Sequence, residues 1–120
     1  MKHKSPEHDE QVAFFDWVRI KENSDERYKA IFAIPNGGHR HVATAMRLKA
    51  EGVRAGVLDV LCAVPRNGWS GLWIEFKIKP NRLSKDQKAF GQLMHSFGFR
   101  VTVAWNAAQG IECVTNYLED

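Results

Sequence analysis

Residues 56–77, GVLDVLCAVPRNGWSGLWIEFK, constrain this chain more than any other stretch. Two apolar, β-branched runs, Val57 to Val64 and Leu72 to Ile78, flank a turn built from Pro65, Asn67 and Gly68. That pattern predicts a β-hairpin whose loop is longer than the two-residue minimum. Each run carries a carboxylate where an apolar residue belongs, Asp59 in the first and Glu75 in the second, and Lys77 follows Glu75 by two. Strand side chains alternate faces, so Glu75 and Lys77 share one side of the sheet.

An unpaired charge in an apolar strand is costly, so these three need partners or a ligand. A structural ion pair would satisfy Lys77 and one acid and leave the second acid without a counter-charge. A hard divalent cation held by the oxygens of Asp59 and Glu75 would satisfy both, with Lys77 beside it to hold a water or oppose developing charge.

The rest of the chain supplies a frame for this hairpin. Ser5-Pro6-Glu7 is a helix start, and the helix runs to about Lys21 with Phe14, Trp17, Val18 and Ile20 as its apolar stripe. Glu10 borders that stripe, four residues before Phe14 and seven before Trp17. It either reaches the helix edge or a basic neighbour, or joins a site. Asn23 to Glu26 reads as a polar linker, Ala30 to Ile34 as a short strand, and Pro35-Asn36-Gly37-Gly38 as a turn. His41 to Glu51 has helical composition and is stopped by Gly52. Ser84-x-x-Gln87 is a capping box opening a helix to about Phe97, with Leu83 placed to staple the entry and Gly98 to end the helix. Arg100 to Trp105 is another strand, and Asn106 caps a final helix.

The order is α-β-α-β-β-α-β-α, an α/β chain with a small mixed sheet flanked by helices. The hairpin strands are antiparallel, and the crossover through the Ser84 helix returns its strand parallel to a neighbour. A length of 120 residues suits one domain, here residues 1–120, and is short for two. The apolar share of 44% and charged share of 26% are those of a soluble globular protein, and no apolar run is long enough to span a membrane. Cys62 and Cys113 lack zinc-site spacing and sit among apolar neighbours. Two reduced thiols are expected, which points to the cytoplasm.

A net charge of +3 permits an anionic partner without requiring one. Its distribution says more. Acids gather at the ends, whereas Arg40, Arg47, Lys49, Arg54, Arg66, Lys79, Arg82, Lys85 and Lys88 fill the middle around the hairpin. On one face with Asp59 and Glu75 they would form a phosphate-attracting rim. Asn36 and His39 in the glycine turn are further candidates for phosphate or base contacts; His39 and His41 alone do not make a metal site.

An Asp in one strand followed by Glu-x-Lys in the next resembles the PD-(D/E)xK nuclease superfamily. More of the chain is similar to one branch, the VRR-Nuc domain of phages and bacteria. The matching pieces are Glu10-Gln11, Ile34-Pro35-Asn36-Gly37-Gly38, Gly52 to Gly56 leading into Val57-Leu58-Asp59, Gly71 to Lys77, Leu83-Ser84 with Gln87, and Gly98. Leu58 departs from the Pro usual in the superfamily. The resemblance implies a restriction-endonuclease-like core and a metal-dependent DNA nuclease. Asp59, Glu75 and Glu10 would hold Mg²⁺ or Mn²⁺ with the Phe76 carbonyl, Lys77 would act on the attacking water, and Gln87 would lie beside the centre. It also implies a homodimer acting on branched DNA such as four-way junctions. Arg40, Arg54, Lys79, Arg82 and Lys85 would hold the DNA backbone. A DNA-binding module of the same fold that has lost catalysis, and a metal hydrolase acting on RNA or a nucleotide, are the competing readings.

Overall fold

The computed structural model describes residues 6–35 and 42–119. Helix α1, Pro6–Glu22, starts on its proline with Glu7 and Asp9 in the first turn and ends with Arg19 and Lys21, matching the helix dipole at both ends. It buries Phe14 and Val18, whereas Ile20, expected inside, is 68% exposed. Two residues turn a helix by about 200°, so Ile20 points away from the face that Val18 buries.

The expected polar linker is a folded element. Asp25 accepts from the Arg27 amide at 3.0 Å and opens a 3₁₀ turn, Glu26–Ala30. The Arg27 guanidinium pairs with Asp25 at 2.7 Å and donates to the Leu118 carbonyl at 2.9 Å. Tyr28 is buried in this turn and its hydroxyl donates to Glu119. A short turn thereby fastens the end of the chain to α1.

The other elements follow in the predicted order: β1 (Ile31–Ala33), α2 (Val42–Ala50), β2 (Val60–Cys62), β3 (Leu72–Phe76), α3 (Lys85–Ser96), β4 (Arg100–Ala104) and α4 (Ala107–Leu118). The sheet order is β1-β2-β3-β4. β1 and β3 flank β2 antiparallel, and β4 lies parallel to β3 with Glu75 opposite Val103. The regular strands are shorter than the apolar runs that announced them. Between β2 and β3 the chain leaves the ladder and closes on an Arg66–Trp69 bridge, with Asn67 and Gly68 at φ 51° and 85°.

Alternation along the strands sorts the two faces. Val60, Cys62, Leu72, Ile74, Phe76 and Ala104 join Phe14, Val18, Val114, Tyr117 and Leu118 in one buried core against α1 and α4. Trp73, Glu75, Val101 and Val103 turn to the other face, where α3 lies over them and Phe90 meets the Trp73 ring edge-on at 5.1 Å. Trp73 thus covers a core edge and is not a surface platform. Neither α2 nor α3 has a buried residue, and Met46 and Phe97 are 67% and 63% exposed. Cys62 and Cys113 are free thiols, and no helix among the described residues is long and apolar enough to cross a membrane.

Candidate metal and nucleic-acid site

The acid-bearing ends of β2 and β3 meet on the α3 face. Antiparallel pairing sets Val60 opposite Ile74, which brings Asp59, one residue before β2, alongside Glu75 and Phe76. The backbone then fixes both carboxylates. The Asp59 amide donates to Glu75 Oε1 at 3.0 Å, and the Phe76 amide donates to Asp59 Oδ2 at 2.9 Å. Gln87 Nε2, from the first turn of α3, donates to Glu75 Oε2 at 2.9 Å, and Lys77 Nζ stands 3.6 Å from the same oxygen. Asp59, Glu75, Lys77 and Gln87 are therefore brought together, the first three from the paired strands and Gln87 from α3.

Electrostatics marks this cluster as under strain. Glu75 is only 2% exposed, and burial followed by repulsion from Asp59 pushes its carboxyl up to about 7, against the pull of Lys77. Burial also raises Asp59, opposed by the Phe76 amide and by Lys77. Two acids held together with one lysine cannot both ionise cheaply. A divalent cation would supply the missing positive charge, and the donor set, all oxygen, is one that hard cations take. The residues therefore fit the group the resemblance implies. Among the described residues no three His, Cys, Asp or Glu side chains converge as a ready-made metal site.

Glu10 is the residue the structure does not bring here. Its Oε1 accepts from the Ala107 amide at 2.7 Å, so it caps the start of α4 on the core side of the sheet. The acid of α1 that faces Asp59 is Glu7, one turn earlier, whose charge adds to the upward push on the Asp59 carboxyl. Glu7 and Gln11 line, with Asp59, a groove of about 1070 Å³ between α1 and the edge strand β1. Asn81 Nδ2 donates to Glu7 Oε2 at 3.3 Å. The sequence carried a signal for Glu7, since it lies seven residues before Phe14 and four before Gln11 and so borders the same stripe from its other edge.

Of the basic candidates, Arg54 lines a groove between α2 and α3 that also touches Ser84, Asp86 and Gln87. Arg82 and Lys85 are exposed where the chain enters α3, and Lys79 lies 5.9 Å from the centre of the Trp105 ring. All four are thus available to an anionic partner near the acids. Asn36, His39 and Arg40 lie outside the described residues. The Phe76 side chain packs into the core at 5.3 Å from Phe14, on the face opposite the acids.

A mixed α/β sheet with acid, acid and lysine at the ends of adjacent antiparallel strands defines a nuclease-like core. The family profile of the VRR-NUC domain matches residues 3–107, and the chain belongs to that nuclease-type family. A solved structure titled "VRR_NUC domain protein" superposes with a TM-score of 0.80 over 98% of this chain and 91% of the other, at 21% identity. That likeness bears on the fold. No curated protein matches the chain.

Proposed function

We propose that residues 1–120 form one metal-dependent DNA endonuclease domain, with Asp59, Glu75, Lys77 and Gln87 at its centre and Glu7 as the acid contributed by α1. The observation that carries this reading is the buried Asp59–Glu75 pair, fixed by three hydrogen bonds and accompanied by Lys77 at 3.6 Å. Asp59 and Glu75 would hold Mg²⁺ or Mn²⁺, which would supply Lewis-acid activation of water and neutralise charge on the scissile phosphate.

The chain's own groups do the remaining work. The Asp59 and Phe76 amides and Gln87 hold three carboxylate oxygens in place before substrate arrives, so little reorganisation is needed during reaction. The Lys77 ammonium, beside Glu75 Oε2, holds the attacking water or the phosphate oxygen next to it. The Phe76 carbonyl would complete the oxygen set. Arg54, Lys79, Arg82 and Lys85 take the phosphates on either side of the cut, together with Asn36, His39 and Arg40.

Branched DNA, four-way junctions included, and a homodimer belong to the same reading. Helix α2 has nine residues and none buried. A helix that short does not hold together in water unaided. Exposed Met46, Leu93 and Phe97 on α2 and α3 offer a second copy the apolar cover that α2 needs. A two-fold enzyme suits a symmetric junction.

The test is cleavage of labelled linear, flap and four-way-junction DNA in Mg²⁺, Mn²⁺ or EDTA by wild type, Asp59→Ala and Lys77→Ala. Metal-dependent cutting lost in both variants supports the reading. Binding without cutting in either metal replaces it with a DNA-binding module.

A further inference from the structure

Gln87 belongs to two hydrogen-bonding systems at once. Its side-chain Nε2 donates to Glu75 Oε2 at 2.9 Å, while its Oε1 accepts from the Ser84 amide at 2.9 Å. Its backbone N–H donates to Ser84 Oγ at 3.1 Å, which closes the capping box that starts α3. The amide group of Gln87 is thus aimed by Ser84 at one end and spent on Glu75 at the other. A capping box ordinarily settles only orphan amides of a helix. Here its side-chain member also fixes a carboxylate of the catalytic pair.

The other acid depends on the same turn. Gly56, three residues before Asp59, has φ +86°, and a Cβ built on it would lie 2.5 Å from the Asp86 carbonyl carbon and oxygen. The chain entering the Asp59 segment is therefore pressed against the backbone of the first turn of α3. Asp59 is reached from Asp86 through Gly56, and Glu75 is reached from Ser84 through Gln87. The same helical turn thus touches Glu75 through Gln87 and the chain leading to Asp59 at Gly56.

We propose that Ser84 is a positioning residue of the metal site, acting through Gln87, so that the capping box of α3 sets the affinity for a divalent cation. This rests on the nuclease reading of the Asp59–Glu75 pair and extends it to a residue that touches neither metal nor substrate. Loss of the Ser84 hydroxyl removes the acceptor of the Gln87 backbone N–H, so the first turn of α3 that carries the Gln87 side chain to Glu75 Oε2 loses its anchor while the Ser84 amide still holds Gln87 Oε1. Groups behind a ligand typically govern affinity by about 10- to 100-fold.

Mn²⁺ binding to the full chain, followed by the electron-spin resonance of free Mn²⁺ without DNA, tests this apart from activity. Ser84→Ala is expected to raise the half-saturating Mn²⁺ concentration about 10-fold, and Ser84→Thr, which restores the capping hydroxyl, to stay within about 2-fold of wild type. Ser84→Ala added to Gln87→Ala is expected to cost nothing further, because both act through one group. Asn106→Ala removes the equivalent cap of α4, where Asn106 Oδ1 accepts from the Gln109 amide at 2.8 Å, and is expected to leave Mn²⁺ binding unchanged. If Ser84→Ala binds Mn²⁺ as wild type does, or if Asn106→Ala weakens it equally, the inference is overturned while the metal reading stands. If wild type takes up no Mn²⁺, both fall.

Discussion

Replacing Glu75 by glutamine should stabilise this protein at alkaline pH in the absence of divalent cations, although it removes a residue of the proposed reaction centre. Glu75 has its carboxyl pushed from an ordinary 4.5 to about 7 by burial and by Asp59. The folded state therefore holds the proton more tightly than the unfolded chain does. Below about pH 4.5 both states carry it and the group costs nothing. As pH rises toward 7 the unfolded chain releases the proton first, and stability falls with a slope of at most about 1.4 kcal/mol per pH unit. Above pH 7 the loss is complete at about 3 kcal/mol, taking about 1.4 kcal/mol for each tenfold change in the proton equilibrium. Glutamine keeps the shape, accepts from the Asp59 amide and never ionises, but its NH₂ faces the Gln87 and Lys77 donors, a cost that does not change with pH. In EDTA, the melting temperature of Glu75→Gln relative to wild type should rise by about 10 °C between pH 4.5 and pH 8, read by circular dichroism. Mg²⁺ at a thousandfold excess over Kd should reverse the order at pH 8, because wild type then gains about 4.1 kcal/mol and the variant gains little. A gap between the two proteins that does not change with pH would refute the reasoning, since a packing effect has no proton to release.

Other outcomes follow from particular contacts. Glu10→Ala should lower the melting temperature by the equivalent of about 1–2 kcal/mol, because it leaves the Ala107 amide unpaired, without altering the Mg²⁺ concentration for half-maximal cleavage. Glu7→Ala should do the reverse, raising the Mg²⁺ requirement with a melting temperature within about 2 °C of wild type; equal behaviour of the two variants would show that α1 is in a different rotation about its axis. Gly56→Ala forces a Cβ to 2.5 Å from the Asp86 carbonyl at φ +86° and should cost roughly 2–4 kcal/mol in a urea titration. If wild type forms the proposed dimer, Phe97→Glu, at a position 63% exposed, should sediment as a folded monomer; unchanged sedimentation would remove the end of α3 from the interface.

Much of this architecture was legible because each local signal agreed with the tertiary outcome. The Ser84–Gln87 box, the Asn106 cap, the hairpin around Asn67 and Gly68, and the parallel return after α3 all formed as their residues prescribe. What sequence could not resolve was which edge of a helical stripe meets which neighbour. Glu7 and Glu10 lie on the same side of α1, only about 60° apart around the axis. One edge looks to the Asp59 groove and the other to α4. Periodicity identifies the stripe, and only the packing of α4 decides which edge it covers. The 3₁₀ turn was hidden for a related reason, since Glu26 to Ala30 has polar composition and owes its order to distant partners, Leu118 and Glu119.

The same contrast explains why the acid pair could be read from sequence while the part of Ser84 in its support could not. A carboxylate inside an apolar strand is conspicuous because the hydrophobic effect would select against it. A serine at a helix start attracts no notice, because capping alone accounts for it. Yet Ser84 and Gln87 serve both ends of one hydrogen-bond chain reaching Glu75 Oε2. The cost of the site is concentrated where two acids repel each other, and the rigidity that sustains it comes from an ordinary helix cap next to them. Stiffening the cap cannot remove the repulsion; it keeps the carboxylates from relaxing apart to relieve it. A cation between them then finds its oxygens already in place, which is why a change confined to the cap should appear in metal affinity before it appears in the fold.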